Sequence, residues 1–257
     1  MKRFAWVLLL ALPTLGCTTI HGDGVSASEE REVPAFDAVS GSLPLGVIVE
    51  VAATGEPYVR LECDENLLPH IRTYVREGTL HITTEPTVSI APRSVCTAQV
   101  RTSRLVALAA SGSGEMVARG ELDALGAIDS SGSGGVTVED PITSDALSID
   151  VSGSGPVRVA RYEGEAIDAA VSGSGAAEVQ GGSASDLHVD SSGSGGLLAP
   201  ELEVMHAYVS SSGSGRIELR VSESIRASLS GSGDVVITGD PPVREETESG
   251  SGRVLYR

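Results

Sequence analysis

The sequence predicts an all-β fold: a right-handed parallel β-helix, or β-solenoid-like column, with turns of about 20 residues and a Ser-Gly-Ser-Gly corner in each. Three observations predict it. The tetrapeptide recurs at Ser111, Ser131, Ser152, Ser172, Ser192, Ser212, Ser230 and Ser249, at intervals of 20, 21, 20, 20, 20, 18 and 19 residues. The residues flanking each corner alternate between apolar and polar, the period of a strand with one buried face. Aromatic residues make up only 3% of the chain, which suits a narrow column packed with aliphatic side chains.

The alternation is regular. Five residues past the first Ser of each corner stand Met116, Val136, Val157, Ala177, Leu197, Ile217, Val235 and Val254. Seven past it stand Ala118, Val138, Val159, Val179, Ala199, Leu219, Ile237 and Tyr256. Three before it stand Leu108, Ile128, Ile149, Ala169, Val189, Val209 and Ala227, with Glu246 as the exception in the last copy. Five before it, Gly126 and Arg244 depart from an otherwise apolar set. Each repeat therefore reads as strand, corner, strand and then a variable loop. Those loops are expected at Val117–Ala127, Glu139–Ala146, Ala160–Glu165, Gly181–Asp186 and Pro200–Met205, and stacking the turns buries a continuous column.

Glycine in extended backbone costs about 0.5–1 kcal/mol relative to alanine. Two at every corner point to a backbone that needs either positive φ or close approach of neighbouring turns. Serine at such a corner can bond nearby backbone.

In chain order, Lys2 and Arg3 precede the apolar run Phe4–Leu12, and Leu15-Gly16-Cys17 follows. A basic start, a short apolar stretch and a small residue before the cut describe an export signal over residues 1–16. The run is shorter than the roughly 20 residues a spanning helix needs. Leu-Gly-Cys resembles a bacterial lipobox, which implies lipidation at Cys17 and a membrane-anchored lipoprotein. Thr14 stands where a lipobox usually has Leu, and Thr18, in place of an inner-membrane retention Asp, favours the outer membrane. Residues 17–32 read as the lipidated Cys and a flexible tether. Residues 33–257 read as one domain, irregular over 33–104 and regular over 105–257. Within the irregular part, Ser40-Gly41-Ser42 is a degenerate first corner, Asp64 is placed to cap a short helix through Leu68, and Tyr74–Thr83 is a hairpin turning at Glu77-Gly78.

Setting Cys17 aside, Cys63 and Cys96 remain, an even pair that an oxidising compartment permits to form a disulfide. The alternative is two buried free thiols. No zinc spacing is present.

The net charge of −17 argues against nucleic acid as a partner. Two residues before the corner, Asp129, Asp150 and Asp190 share an outward face, but Ala170 interrupts the column and no metal site is assigned. The sequence holds no nucleophile elbow and no phosphate loop, Lys2 being the only lysine. A β-helix lyase constellation drawn from Asp150, Asp190, Arg158 and Arg161 has nothing marking it as a cluster. No catalytic residue and no cofactor are assigned.

Phe36-Asp37-Ala38-Val39, the segment Gly78-Thr79-Leu80-His81-Ile82 and then tandem Ser-Gly-Ser-Gly corners together resemble the auto-transporter adhesin head GIN-domain family. The resemblance spans about 33–257. It implies a β-helix-like extracytoplasmic domain, often on bacterial lipoproteins, with no established activity. The expected function is a lipid-anchored, non-catalytic binding or adhesion module of the bacterial cell envelope, its partners being the membrane and an envelope protein or glycan. The alternatives are a structural envelope scaffold and, third, a carbohydrate-active β-helix.

Overall fold

Each Ser-Gly-Ser-Gly corner joins two short strands that lie in parallel register with those of the turns above and below. The computed structural model describes residues 18–42 and 44–257. The signal over 1–16 and Cys17 lie outside the described residues.

The strands before the corners form one side of a β-solenoid. Leu108, Ile128, Ile149, Ala169, Val189, Val209 and Ala227 pair turn to turn along it, all buried. The strands after the corners form a second side. Met116, Val136, Val157, Ala177 and Leu197 pair there, and Ile217, Val235 and Val254 continue it. The inward column five residues before the corner holds from Leu147 to Ile225. In the two preceding turns it shifts by one, to the buried Leu105 and Leu125, which is why Gly126 breaks the pattern.

The expected variable loops are largely a third side. Leu122 bridges Ile142, Ile142 pairs with Tyr162, Tyr162 with Gly182, and Gly182 with Leu202. In the earlier turns this side buries few side chains in register, with a glycine among the later ones, too sparse an alternation to read as a strand. The later turns add Ala184, Val204 and Val221. The large Tyr162 and the small Gly182 are complementary. Tyr162 is fully buried and its hydroxyl donates to the carbonyls of Ser144 (2.9 Å) and Ala166 (2.8 Å). A Cβ on Gly182 would lie 1.8 Å from the Tyr162 carbonyl oxygen, and its φ of +113° is one that only glycine adopts readily.

The corner glycines settle the choice left open by sequence. None of them has positive φ. A Cβ on Gly153 would sit 2.0 Å from the Gly132 carbonyl oxygen, and one on Gly134 would sit 2.0 Å from the Gly114 oxygen. Close approach is therefore the cause. Backbone bonds link the stacked corners directly, for example Ser154 N–H to Gly132 O at 2.9 Å. The serines point outward in two exposed columns.

Turn order departs from chain order at the start. Strands Ala38–Gly41 and Gly46–Val51 stack on Ala107–Ala110 and Met116–Gly120. Their other edges pair with Thr79–Thr84 and Thr97–Thr102. The chain thus lays down the second turn first, steps outward to build the terminal turn, and returns. Two antiparallel strands close the end, Ile71–Arg76 on Thr79–Thr84 and Tyr58–Asp64 on Thr97–Thr102. The first is the expected hairpin, with Glu77 at φ 52° and Gly78 at φ 78°.

Residues 18–31, expected as a flexible tether, are instead built into this cap. Thr18–His21 pairs in parallel with Val88–Ala91, and Ser26–Arg31 pairs antiparallel with Tyr58–Asp64. Asp64 explains why. It caps no helix, since the short 3-10 turn Leu68–His70 has no side-chain cap. Its buried carboxylate accepts from the backbone N–H of Gly24 (2.9 Å) and Arg93 (2.8 Å) and from Ser94. One carboxylate thereby ties three chain segments together. The Ser94 hydroxyl, helped by these amides, holds the Asp64 carboxyl below the usual carboxylate range.

The last turn is built differently again. Arg244, Glu246 and Glu248 occupy the register of Ile225, Ala227 and Leu229, so charged residues stand where the preceding turn buries aliphatic ones. Glu246 accepts from the Tyr256 hydroxyl, the Arg244 guanidinium lies 4.1 Å from the Tyr256 ring centroid, and Glu248 accepts from Val254 N–H at 2.8 Å. The departures at Arg244 and Glu246 are thus a polar plug over the end of the column.

Candidate binding face

Along the outer surface of the first side, the position four residues before each corner builds a continuous ladder. Ser148, Asp168, His188, Tyr208, Arg226 and Glu245 pair turn to turn. The parallel register brings their side chains into contact at the strand spacing of about 4.8 Å. Asp168 Oδ1 lies 3.4 Å from His188 Nδ1. The His188 and Tyr208 rings stack with centroids 4.7 Å apart and planes 7° from parallel. The Arg226 guanidinium lies 6.0 Å from the Tyr208 centroid on the next turn and donates to Glu245 at 2.8 Å. That bond holds the Glu245 carboxyl below its ordinary value. Beside the ladder, His206 Nδ1 lies 2.9 Å from Ser224 Oγ. Asp190, Ser210 and Ser228 line a shallow hollow with His188, Tyr208 and Arg226 of the ladder.

This geometry decides what the strip can do. Tyr208 is 37% exposed, but its two ring faces are covered by His188 and Arg226. What remains open is the polar rim: a phenol hydroxyl, an imidazole edge and guanidinium N–H groups. The strip is a hydrogen-bonding surface and lacks the bare aromatic face on which a sugar ring stacks. Cations also lie over the other partly exposed tyrosines, Tyr256 beneath Arg244 among them. Arg72 lies 5.8 Å from the centroid of Tyr74, which also stacks on His81 at 5.0 Å, and Arg101 lies 5.0 Å from that of Tyr58. Sequence reading missed the ladder because its members differ chemically from turn to turn. The signal was available as a position counted back from each corner.

The other sequence-derived candidates separate. Asp129 and Asp150 are direct neighbours, and Ala170 stands between Asp150 and Asp190. Arg158 is on the second side, paired with Glu178, and Arg161 pairs with Glu163 at the third. The lyase constellation is therefore spread over three faces. Cys63 and Cys96 are joined as a disulfide with Cα atoms 4.3 Å apart. With Asp64 they form the one cluster of metal-competent side chains among the described residues. The bonded sulfurs and the saturated carboxylate leave it no free ligand set. No described helix is long and apolar enough to cross a membrane.

Comparison with known proteins places this architecture. The family model described as "Putative auto-transporter adhesin, head GIN domain" matches residues 35–241. Among solved structures, a "putative lipid binding protein" from Parabacteroides distasonis superposes with TM-score 0.81 at 22% identity, covering 93% of this chain and 100% of that one. A "putative adhesin" from Parabacteroides merdae gives 0.78 at 17% identity, covering 92% and 99%. A third, a "putative adhesin" from Bacteroides fragilis, gives 0.70 at 18%, covering 93% and 100%. At these identities the likeness is one of fold. No curated protein matches the chain.

Proposed function

The chain belongs to the auto-transporter adhesin head GIN-domain family, and from that premise we propose that it is a non-catalytic binding module of the bacterial cell envelope. It is anchored through lipid on Cys17, in the outer membrane, and engages an envelope protein or glycan through the first side of its solenoid. The observation that carries this reading is the exposed strip from Asp168 to Glu245. Its polar rims are held at strand spacing by a continuous parallel ladder, an arrangement organised before binding, which lowers the ordering cost of recognition. Aromatic and Arg side chains are also the types that dominate binding hot spots.

The test is a photocrosslinking residue introduced in the cell at Tyr208, with the same residue at Glu163 on the third side as control. One reproducible envelope partner from position 208, lost in Arg226→Ala, supports the reading. Equal crosslinking from both positions refutes a dedicated face, and turnover of a co-purifying glycan refutes the non-catalytic assignment. Anchoring has its own test: Cys17→Ala is expected to release the protein from membranes, and continued sedimentation with them at high salt and high pH would refute it.

A further inference from the structure

The described fold begins at Thr18, one residue from Cys17, and that residue is not free. Its N–H donates to the Thr87 carbonyl at 2.8 Å, and the strand it opens is paired along its length with Val88–Ala91. Consecutive Cα atoms are about 3.8 Å apart, so acyl chains on Cys17 would bring this part of the cap to the level of the lipid headgroups. The shallow hollow beside Thr87 is lined by Arg72, Tyr74, Thr83, Glu85, Thr87 and Val88.

The chemistry of that hollow differs from the rest of the molecule. The chain carries a net charge of −17. Of the arginines in residues 66–114, Arg76 pairs with Glu77, Arg101 with Glu50 and Arg104 with Asp37, which leaves Arg72 and Arg93 as the guanidinium groups there without an ion pair among the described residues. Glu85 faces His70 at 3.5 Å and Glu77 faces Arg76 at 3.7 Å. Arg72 makes no ion pair among the described residues. It lies over the Tyr74 ring, which is 41% exposed. Tyrosine favours the membrane–water interface, and a guanidinium suits a phosphate. At the opposite end of the column the last turn sets Asp240, Glu245, Glu246 and Glu248 against Arg244, Arg253 and Arg257, with Asp240, Glu245 and Glu248 in ion pairs, so it offers anionic headgroups no net attraction.

Resting on the lipid-anchor reading above, we infer that the terminal turn of the cap, centred on Arg72 and Tyr74, is a foot that seats on a phospholipid bilayer and stands the solenoid end-on. The absence of slack between residue 17 and the paired strand converts a lipid anchor into a fixed orientation. Seven strand spacings separate His81 from Tyr208 along the first side, roughly 34 Å at 4.8 Å each. That lifts the binding strip clear of the headgroup layer.

The experiment exploits the position of Trp6, the only tryptophan, in the leader. Tyr74→Trp and Tyr208→Trp each give a mature chain with a single reporter. The chain from Cys17 onward contains every strand described above. With Cys63 and Cys96 bonded, its Cys17 thiol can be coupled to a maleimide phospholipid. The vesicles are phosphatidylcholine and phosphatidylglycerol with brominated acyl chains. The reporter at 74 is expected to lose about twofold in fluorescence, as an interfacial residue would, and the reporter at 208 to be unchanged. Arg72→Glu should abolish the loss at 74. Equal quenching at both positions means the column lies flat, and quenching at neither means it swings free; either overturns the inference. Hydrogen exchange on the coupled chain without the Trp substitutions reads the same seating independently of them, with slowing expected over residues 71–88 and not over 206–228. The intact mass of the cell-derived protein tests the anchor separately. An unacylated Cys17 would refute the lipid-anchor reading, while the coupled chain still decides the orientation.

Discussion

The column and the cap are built from the same strands and held by different physics. In the column, contacts join a residue to its counterpart about one repeat later. Each turn offers its neighbours the same corner glycines, aliphatic residues and backbone bonds. In the cap, every tie occurs once: Asp64 to residues 24, 93 and 94, Cys63 to Cys96, and Arg31 to the Leu68 carbonyl at 2.9 Å. A periodic structure depends on a steric fit that tolerates no exception. An aperiodic one depends on a few irreplaceable bonds. The largest break of this comparison is at a corner. Gly153→Val forces a Cβ to within 2.0 Å of the Gly132 oxygen, and the stacked backbone has no room to retreat. The expected loss is about 4 kcal/mol or more, against about 0.5 kcal/mol for the exposed neighbour Ser154→Val. Thermal unfolding of the two variants checks it, and equal melting temperatures would remove the steric account of the corners.

The cap should fail by separate routes. Cys63 and Cys96 are 33 residues apart, a loop whose closure is worth about 3–4 kcal/mol in the chain-entropy model. Cys63→Ala with Cys96→Ala is expected to open residues 18–104 to hydrogen exchange while the amides of 146–229 keep their protection, because stacked repeats depend mainly on their neighbours. Uniform deprotection would show that cap and column are one cooperative unit. The Asp64 tie adds a pH dependence. Its carboxyl is held below its ordinary value, so its contribution is fully present above the unfolded pKa of about 3.9 and is lost as pH falls through the lower folded value. The Gly24, Arg93 and Ser94 amides should therefore lose protection on acidification, ahead of amides in the column. Asp64→Asn should lose that pH dependence together with part of the cap's protection at neutral pH.

This division also explains what could be read from sequence. The corners, the first two sides and the Glu77-Gly78 hairpin were legible because each is a local period or turn repeated or signalled in place. The third side was not, because its inward column changes from Leu122 and Ile142 through Tyr162 and Gly182 to Leu202 and so repeats no residue type from turn to turn. The Asp64 knot was not, because it is assembled from residues far apart in the chain, and Asp64 reads equally well as a helix cap. The tether expectation failed for the same reason: residues 18–31 are polar on their own and become strands only against Tyr58–Asp64 and Val88–Ala91. The ladder from Asp168 to Glu245 was visible only as a position, since no residue type repeats in it.

The two ends of the column sharpen the contrast further. The cap closes its end with antiparallel strands. The last turn instead places Arg244, Glu246 and Glu248 in aliphatic register, and inward charges of this kind discourage edge-to-edge pairing. Glu246→Val should change monomer stability little and promote self-association with increasing concentration, read by sedimentation velocity. A variant that stays monomeric at every concentration would show that the plug does not guard that edge.

The smallest expected effect lies in the middle of the column. Ser130 is fully buried between Ala110 and Val151 in register, and its hydroxyl has no hydrogen-bond partner among the described residues. Two turns beyond Val151, the same register position is Ser191, whose hydroxyl reaches the Gly195 carbonyl at 3.4 Å. An unpaired buried hydroxyl carries a desolvation cost with no return, whereas a paired one returns a net of about 0.5–1.5 kcal/mol, less for a long bond such as this. Ser130→Ala is therefore expected to stabilise the protein by up to about 1 kcal/mol, and Ser191→Ala to leave it unchanged or slightly weaker. Denaturant unfolding of both variants separates them by sign. Destabilisation by Ser130→Ala would mean that this hydroxyl is satisfied, as by a buried water, and that the aliphatic column is wet at that turn.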